Sequence, residues 1–224
     1  MLRVPGDVNA TQGARRGYDS SRRRDGSQET RRRILEAARV LLIEHGYHAT
    51  SVAEIARAAE VHIDTVYRLV GRKPVLLREL VEQSISGTDQ AAVAEERADV
   101  MAVMAAEDAR SKIVLYARAT RRVQERLAPL FASLRDAAVI DSEAESVWRE
   151  ISERRAQNMR RFVEDIEAVG GLRGDLDVEV AADAVWATNG SELYLLLTDR
   201  RGWTPDRYEA WLADLWSRYL LAPD

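Results

Sequence analysis

The chain has 224 residues, of which 46% are hydrophobic and 31% are charged, so it is long enough for one or two globular domains with a sizeable core. It contains no cysteine, which excludes disulfides and thiolate metal sites and is typical of a cytoplasmic protein. No apolar run approaches the roughly 18 residues of a membrane span, and the N-terminus lacks the apolar core of a secretory signal. Alanine, leucine, glutamate and arginine dominate, which predicts an all-α fold.

The net charge of −4 hides an uneven distribution along the chain. Residues 1–80 contain 15 Lys and Arg against 10 Asp and Glu, a net charge of +5. The rest of the chain contains 18 against 27, a net charge of −9. A basic N-terminal third beside an acidic remainder indicates one DNA-facing end, although surface charge also varies by chance.

Residues 1–27 are rich in Gly, Ser, Asp and Arg and show no apolar periodicity, which predicts a disordered arm. Its arginines at 15–16 and 22–24 make this arm basic. The arm either follows the DNA backbone or a minor groove, or is a solvated tail. The sequence favours neither alternative.

Residues 31–73 predict three short helices around one small core. The first helix carries an apolar face at Ile34, Ala38 and Leu41, which recur with helical spacing. We expect it to end at Gly46, because glycine suits the left-handed position that follows a last helical turn.

The second and third helices are predicted to form a helix-turn-helix over about residues 51–70. Ser51 and Glu54 have the spacing of a capping box, which opens the second helix. The third helix begins near His62, and one of its faces has no core to fill. The residues of that face, which are free to meet a DNA groove, are Ile63, Asp64, Thr65, Tyr67 and Arg68.

Many spaced positions in this region fit one known pattern. They are Thr30, Ile34, Ala37, Ala38, Gly46, Tyr47, Thr50, Ser51, Val52, Ile55, Ala56, Ala59, Val61, Thr65, Val66, Tyr67 and Lys73. The pattern resembles the N-terminal domain of TetR-type transcriptional regulators over about residues 28–88. The resemblance implies a homodimer, a double-stranded DNA operator with two half-sites, and a helical domain over residues 89–224 that binds a small effector and dimerises.

Three positions depart from that pattern. Glu60 stands in the turn where the family commonly has Gly, and a positive φ there would strain Glu by about 1 kcal/mol. His62 replaces the usual Ser or Thr, which predicts a weaker cap for the third helix. Residues 69–71 replace the usual aromatic residue. These departures bear on which operator is bound rather than on the fold.

The remaining sequence predicts further helices. One lies within residues 88–105, and a long one begins near Asp108 and is broken or kinked by Pro129. Ser142 and Glu145 have the spacing of a second capping box, which would open the next helix.

The last two helices are predicted at about residues 178–199 and 205–221, with Thr204 as the cap of the second. Their apolar stripes are too wide and aromatic to leave in water. The resemblance implies that both helices pair with those of a partner subunit, and the alternative is an intramolecular core. The predicted interface residues are Leu193, Leu196, Trp211, Leu215, Trp216 and Tyr219.

The predicted DNA-binding residues are Ser51, His62, Ile63, Asp64, Thr65, Tyr67, Arg68 and Lys73. The resemblance implies phosphate contacts for Thr65, Tyr67 and Lys73. Arg68 would reach guanine or phosphate. Asp64 would either accept from cytosine N4 or interact with the dipole of its own helix.

The predicted effector site consists of aromatic, Met and polar residues on inward-facing helix surfaces. They are Tyr116, Thr120, Trp148, Asn158, Met159, Phe162, Trp186 and Asn189. Such residues at helical spacing also fit a plain core. No Lys or Arg lies clearly on these faces, which favours an uncharged or weakly cationic apolar ligand.

Catalysis has little support in the sequence. All three histidines fall within residues 28–88, so the rest of the chain has neither His nor Cys for a nucleophilic or zinc site. We therefore predict that the protein is not an enzyme and that it has neither a metal site nor a cofactor. The sequence predicts a DNA-binding transcriptional regulator, a repressor released by its ligand. The alternative is an architectural or constitutive DNA-binding factor without an effector, and a cavity in the C-terminal domain would distinguish the two.

Overall fold

The computed structural model describes residues 10–88 and 97–223, and the regular elements in these ranges are all helical, as predicted. In chain order they are α1 (Ala10–Ala49), α2 (Val52–Ala58), α3 (Ile63–Leu69), α4 (Lys73–Ser86), α5 (Ala98–Ala105), α6 (Ala109–Ile140), α7 (Ser142–Ala168), α8 (Val178–Thr188), α9 (Ser191–Leu195), a π-helical turn (Leu196–Arg200) and α10 (Pro205–Leu220). Within the described ranges, no helix combines the length and apolar character needed to cross a membrane.

Helices α1 to α4 form a unit that we call the head. Its core contains fully buried side chains from each helix, among them Ile34, Ile55, Val66 and Leu76. The same cluster continues into α6 and α7 through Leu130, Leu134, Ala137, Ala144 and Val147. The head is therefore packed onto the C-terminal helices through a shared core rather than joined to them by a loop alone.

The first helix is longer than the sequence predicts. Its backbone is helical from Ala10, so residues 10–27 differ from the disordered arm that we expected, and residues 1–9 lie outside the described part. Alanine and arginine have high helix propensity, which an argument from apolar periodicity overlooks. The helical path is interrupted at Gly46, whose φ of 78° and ψ of 172° confirm the predicted change of backbone there.

The local chemistry of the helix-turn-helix follows the prediction closely. The Ser51 hydroxyl accepts from the Glu54 N–H over 3.2 Å, and the Glu54 carboxylate accepts from the Ser51 N–H over 2.8 Å, so the capping box is confirmed. Glu60 has a φ of 54°, the left-handed conformation expected of this turn. His62 caps α3 by accepting from the Asp64 N–H over 3.4 Å, a long bond that agrees with a weak cap.

The second core is formed by α6, α7, α8 and α10. Buried residues from the four helices include Ile113, Val163, Val185 and Leu212. Of the two alternatives at Pro129, a break or a kink, the break is wrong, because α6 continues to Ile140. Proline removes one backbone hydrogen bond, and burial of the side chains before and after it holds the helix together.

The predicted cap of the helix after α6 is also wrong. Asp141 rather than Ser142 caps α7, where its carboxylate accepts from the N–H groups of Glu143 and Ala144. The expected partner of Ser142 in a capping box, Glu145, has no such role. A carboxylate at this position also interacts favourably with the helix dipole, which a neutral hydroxyl does not.

The predicted helix at residues 178–199 is divided into α8, α9 and the π-helical turn. Gly190 separates the first two with an extended ψ of 153°. The apolar spacing continues across this break, because it reflects burial rather than backbone continuity. The next helix begins as predicted, with the Thr204 hydroxyl accepting from the Arg207 N–H.

Candidate nucleic-acid interface and ligand cavity

Helix α3 buries one side in the head and leaves the other in solvent. Val66 is its buried residue, whereas the Tyr67 side chain on the other face is 48% exposed. The other exposed predicted residues here are His62, Asp64 and Arg68. Thr65 and Ile63 are half-buried, and Ile63 packs partly against the head core, so it is not entirely free for DNA as the sequence suggested.

Ser51 lies at the start of α2, outside this exposed face. Its hydroxyl is 2.8 Å from the Glu54 carboxylate, and hydrogen bonds from the Ser51 backbone and side chain lower the pKa of Glu54. A contact between Ser51 and DNA therefore competes with the capping box that begins α2.

Lys73 lies in an internal position that the sequence did not predict. Its ammonium donates to the carbonyls of Tyr47 and Thr50 over 2.7 and 2.9 Å, and lies 3.9 Å from the centroid of the Tyr47 ring. Burial lowers the pKa of Lys73. Two of its three N–H donors thus bind backbone carbonyls just before α2, and the phosphate contact expected of Lys73 stays a prediction.

Arg68 on α3 and Arg57 on α2 supply positive charge in the helix-turn-helix. Both are exposed, and within the described residues neither has an ion pair. Other arginines of the head are used internally: Arg31 pairs with Glu79, and Arg33 donates to the Ala59 carbonyl. Helix α3 therefore presents an aromatic hydroxyl and one cation, and α2 presents a second cation, groups that suit phosphate contacts.

A cavity of about 490 Å³ lies among α4, α5, α6 and α7 and reaches the start of α9. Seven of the eight predicted ligand residues line it, namely Tyr116, Thr120, Trp148, Asn158, Met159, Phe162 and Asn189. Trp186 does not line it. Its ring is 37% exposed on α8, where the Arg155 guanidinium lies 4.4 Å from the ring centroid.

A chain of polar groups crosses one wall of the cavity. Gln124 donates to the Asn189 carbonyl over 2.6 Å, and its own carbonyl accepts from the Ser191 hydroxyl over 2.6 Å. The thioether sulfur of Met159 accepts from both the Tyr116 hydroxyl (3.2 Å) and the Asn189 side-chain amide (2.6 Å). Burial raises the pKa of Tyr116, so its hydroxyl remains a hydrogen-bond donor at neutral pH.

The cavity also contains charged groups, contrary to the prediction that no Lys or Arg faces it. Its lining includes Arg97, Arg154, Arg155 and Arg161. Adjacent residues on α7 behave differently: Arg154 pairs with Glu82 on α4 over 2.6 Å, whereas Arg155 turns toward α8 and donates to the Trp186 carbonyl. Both arginines are visible in the sequence. A search for apolar periodicity does not show that their charged side chains line the cavity together with the apolar residues of α7.

The predicted interface residues lie at different depths. Leu196 is 53% exposed, and the half-buried ones are Leu193, Trp211, Leu215 and Tyr219. Trp216 is only 1% exposed, and its indole N–H donates to the Thr188 hydroxyl over 2.8 Å. The prediction that Trp216 lies at a subunit seam is wrong, because the centre of the wide apolar stripe faces the intramolecular core.

Sequence comparison identifies the head. The model of the bacterial regulatory proteins of the tetR family matches residues 34–80, which run from α1 into α4. No curated protein matches the chain. The match covers the helix-turn-helix and the first two turns of the helix that follows it.

Structural comparison extends the similarity to the rest of the fold. A putative transcriptional regulator from Saccharomonospora viridis, solved with choline, has 20% identity and a TM-score of 0.68 and covers 88% of this chain and 100% of its own. NalD from Pseudomonas aeruginosa, the secondary repressor of the MexAB-OprM multidrug efflux pump, has 22% identity and a TM-score of 0.66, with coverage of 88% and 98%.

FadR from Bacillus subtilis, solved with stearoyl-CoA, has 19% identity and a TM-score of 0.67, and the alignment covers 83% of this chain and 96% of FadR. At these identities the similarity concerns the fold alone. Together with the head, it confirms the expected architecture of an N-terminal helix-turn-helix followed by a larger helical domain. The match over residues 34–80 shows that the head is similar to the bacterial regulatory proteins of the tetR family.

Proposed function

We propose that the protein is a homodimeric repressor that binds a two-half-site operator through α3 and releases it when a small molecule fills the cavity. One structural relationship carries the proposal: α4 lines the cavity and also binds the segment that leads into the helix-turn-helix. The segment that would bind DNA and the helices that would bind the effector are therefore connected through α4.

The DNA-binding role rests on the exposed face of α3. In a helix-turn-helix this face enters the major groove, and its first residues approach base edges. Tyr67, Arg68 and Arg57 supply donors for phosphate oxygens around that groove. Asp64 stands in the first turn of α3, where a carboxylate also interacts favourably with the helix dipole.

The effector role rests on the cavity. About 490 Å³ is within the range of small-molecule sites, and aromatic and aliphatic walls with a few polar groups are typical of them. A packed C-terminal core would instead have favoured the constitutive factor. The structural neighbours solved with choline and with stearoyl-CoA support a ligand in this domain, although they differ too much in chemistry to identify it.

Helix α4 supplies the connection between the cavity and the head. Val81 and Ile85 near its C-terminal end line the cavity. Lys73 at its first residue holds the two carbonyls that precede α2. Glu82 pairs with Arg154 of the cavity wall. A ligand that favours one packing of α4 over another would therefore shift the head relative to its dimer partner.

The operator test starts with a DNA site selected from random sequences by the purified protein. Tyr67→Ala and Arg68→Ala should each weaken binding to that site, whereas Arg160→Ala should not, because Arg160 is ion-paired on α7 far along the chain from the head. Retention of wild-type affinity in both head variants would reject the docking of α3.

Lys73 provides a separate test of how the head is held. A plot of log affinity against log salt concentration has a negative slope, and removal of one phosphate contact should make that slope shallower by about 0.9. If Lys73 acts by holding the loop before α2, Lys73→Met weakens binding at every salt concentration and leaves the slope unchanged. A shallower slope would instead support the phosphate contact that the sequence suggested.

The effector test is a thermal-shift screen of small amphipathic compounds, followed by measurement of operator release with each compound that stabilises the protein. A ligand that favours the DNA-free packing should lower the affinity of the protein for the operator by a certain factor. Operator DNA should lower the affinity of the protein for that ligand by the same factor. Compounds that bind in the cavity and leave operator affinity unchanged would contradict the proposed response.

A further inference from the structure

The hydrogen-bond donors of the cavity have too few good acceptors. The Nε–H group of Arg155 is buried and has no hydrogen-bond partner. The Tyr116 hydroxyl and the Asn189 side-chain amide share one acceptor, the sulfur of Met159. A thioether is a weak acceptor, so all three donors are poorly satisfied while the cavity holds only protein groups.

Arg155 is also distinguished by its charge environment. Other charged residues of the lining are paired: Arg97 with Asp99, Arg154 with Glu82, Asp165 with Lys112, and Glu164 with Arg160. Within residues 10–88 and 97–223, Arg155 makes no direct ion pair. The Glu192 carboxylate lies near it, and the charge of Glu192 partly offsets the lowering of the Arg155 pKa by burial. The Arg155 guanidinium contacts the Trp186 carbonyl and the face of the Trp186 ring. A half-buried guanidinium that makes no direct ion pair can bind the anionic group of a ligand through charge-assisted hydrogen bonds.

The unsatisfied groups lie close to one another. A Cβ atom built on Gly190 would be 3.6 Å from the Arg155 guanidinium, so this guanidinium lies beside the backbone that carries Asn189. The side-chain carbonyl of Asn189 is itself buried without a donor. Two buried polar atoms without partners on adjoining walls indicate that a polar part of a ligand belongs here.

The rest of the lining suits an apolar body. The rings of Tyr116 and Phe162 stack with their centroids 4.0 Å apart, and the Phe131 and Trp148 rings lie 5.0 Å apart on the same cavity. Aliphatic residues of the lining include Val81, Ile85, Val100, Val103, Leu127 and Ile151. The cavity therefore combines one donor-rich end with a long apolar wall.

We propose that the effector is an amphipathic carboxylic acid whose carboxylate accepts hydrogen bonds from Arg155 and Tyr116 and whose apolar body lies against Phe162 and Trp148. This inference rests on the proposed effector cavity and names its ligand class. It replaces the uncharged or weakly cationic ligand that the sequence suggested, because the Arg155 guanidinium disfavours a second cation.

The test measures binding of three probes of equal chain length, decanoate, decanol and decylamine, to the purified full-length protein without DNA. Decanoate should bind about tenfold or more tightly than decanol, because charge-assisted hydrogen bonds are stronger than neutral ones, and decylamine should bind most weakly. Calorimetry gives each dissociation constant directly.

Arg155→Met should remove the preference for decanoate and leave the affinity for decanol within about twofold, since it keeps the apolar stem and removes only the charge. Arg155→Gln and Tyr116→Phe are second variants in case the first does not fold, and each should weaken decanoate binding selectively. Arg160→Met is the matched control, because Arg160 lies on the same helix outside the lining.

Equal binding of decanol and decanoate, tighter binding of decylamine, or unchanged decanoate affinity in Arg155→Met would each overturn the proposal. In these cases a ligand still enters the cavity, so the proposed effector response survives. Selective decanoate binding without operator release would have the opposite meaning: the acid site would stand and the proposed repressor response would fail.

Discussion

The Tyr47 hydroxyl donates a 2.8 Å hydrogen bond to the Asp141 carboxylate and so joins the head to the first turn of α7. Tyr47 is 3% exposed, directly after the change of backbone at Gly46. Asp141 uses its other oxygen to cap α7. The hydrogen bond from Tyr47 is the largest cause that lowers the pKa of Asp141, followed by capping bonds and the charge of Lys73 against the effect of burial.

Tyr47→Phe should lower the free energy of unfolding by about 1.5–3 kcal/mol at pH 7, the usual contribution of a hydrogen bond to a charged group. The folded-state pKa of Asp141 is lowered, so this stabilisation is present above the unfolded pKa near 3.8 and is lost as pH falls through the folded value. Urea unfolding at pH 7 and about pH 3, at one protein concentration, measures the difference.

Ser142→Ala is the matched control for this variant, because Ser142 is exposed and does not cap α7. It should change stability by less than about 0.5 kcal/mol at either pH. An equal loss of stability in Tyr47→Phe at both pH values would mean that the Tyr47 hydroxyl contributes the same free energy to the charged and the neutral carboxyl, which would contradict a charge-assisted hydrogen bond.

Glu60→Gly should stabilise the protein by about 1 kcal/mol, because glycine adopts the φ of 54° without steric strain. Part of the gain is offset, since glycine also gives the unfolded chain more conformational freedom. Glu60→Ala removes the same side chain and keeps the strain, so it should give no gain. Melting temperatures of the three proteins provide the comparison, and a stabilised Ala variant would show that charge rather than backbone conformation decides.

Lys112→Met should lower the free energy of unfolding by about 2–4 kcal/mol. The Lys112 side chain is 2% exposed, and its ammonium contacts Asp165 over 2.8 Å and the carbonyls of Val103 and Met104 over 3.1 Å. It thus holds the end of α5 against α6 and α7. Denaturant unfolding of Lys112→Met, Asp165→Asn and the double variant should give a coupling energy of about 1–3 kcal/mol, and additive losses would exclude a direct interaction.

Leu196→Arg should raise the dissociation constant of the expected homodimer by about a hundredfold, as replacement of a well-packed interface residue commonly does. Leu196 is 53% exposed on the predicted interface, where a buried guanidinium would lack a partner. Val139→Arg is the control, because Val139 is 82% exposed at the end of α6, outside that surface. Sedimentation of wild-type protein as a monomer at micromolar concentration would refute the predicted assembly.

Features that depend on short-range chemistry could be predicted from the sequence. The capping box at Ser51, the change of backbone at Gly46 and the cap at Thr204 each need only a few neighbouring residues, and each is present. The positive φ of Glu60 was also predictable, because the turn of a helix-turn-helix fixes the backbone there. Local rules decide these positions whatever packs around them.

Features that depend on distant contacts could not be predicted in this way. Whether Trp216 faces a partner or the core depends on how α10 rotates against the other helices, which the apolar stripe alone does not fix. Arg155 enters the cavity although its neighbour Arg154 is held by α4, and both belong to the polar side of α7 in sequence. Trp186 is the opposite case. Its helical spacing predicted an inward-facing ring, but the ring lies near the surface and stacks against the Arg155 guanidinium.

In the proposed repressor, the contacts that support DNA binding and the contacts with the effector involve opposite ends of α4. Lys73 lies at its first residue, and Val81 and Ile85 lie about 12 Å or more along its axis at 1.5 Å per residue. Exchange of these two side chains for apolar residues of similar volume typically costs less than about 1.5 kcal/mol and leaves the contacts of Lys73 intact. Under the proposed function, the DNA-binding contacts of the head can thus be kept while the cavity is altered for another ligand, which would make the chain a starting point for sensors with a fixed operator and a different effector.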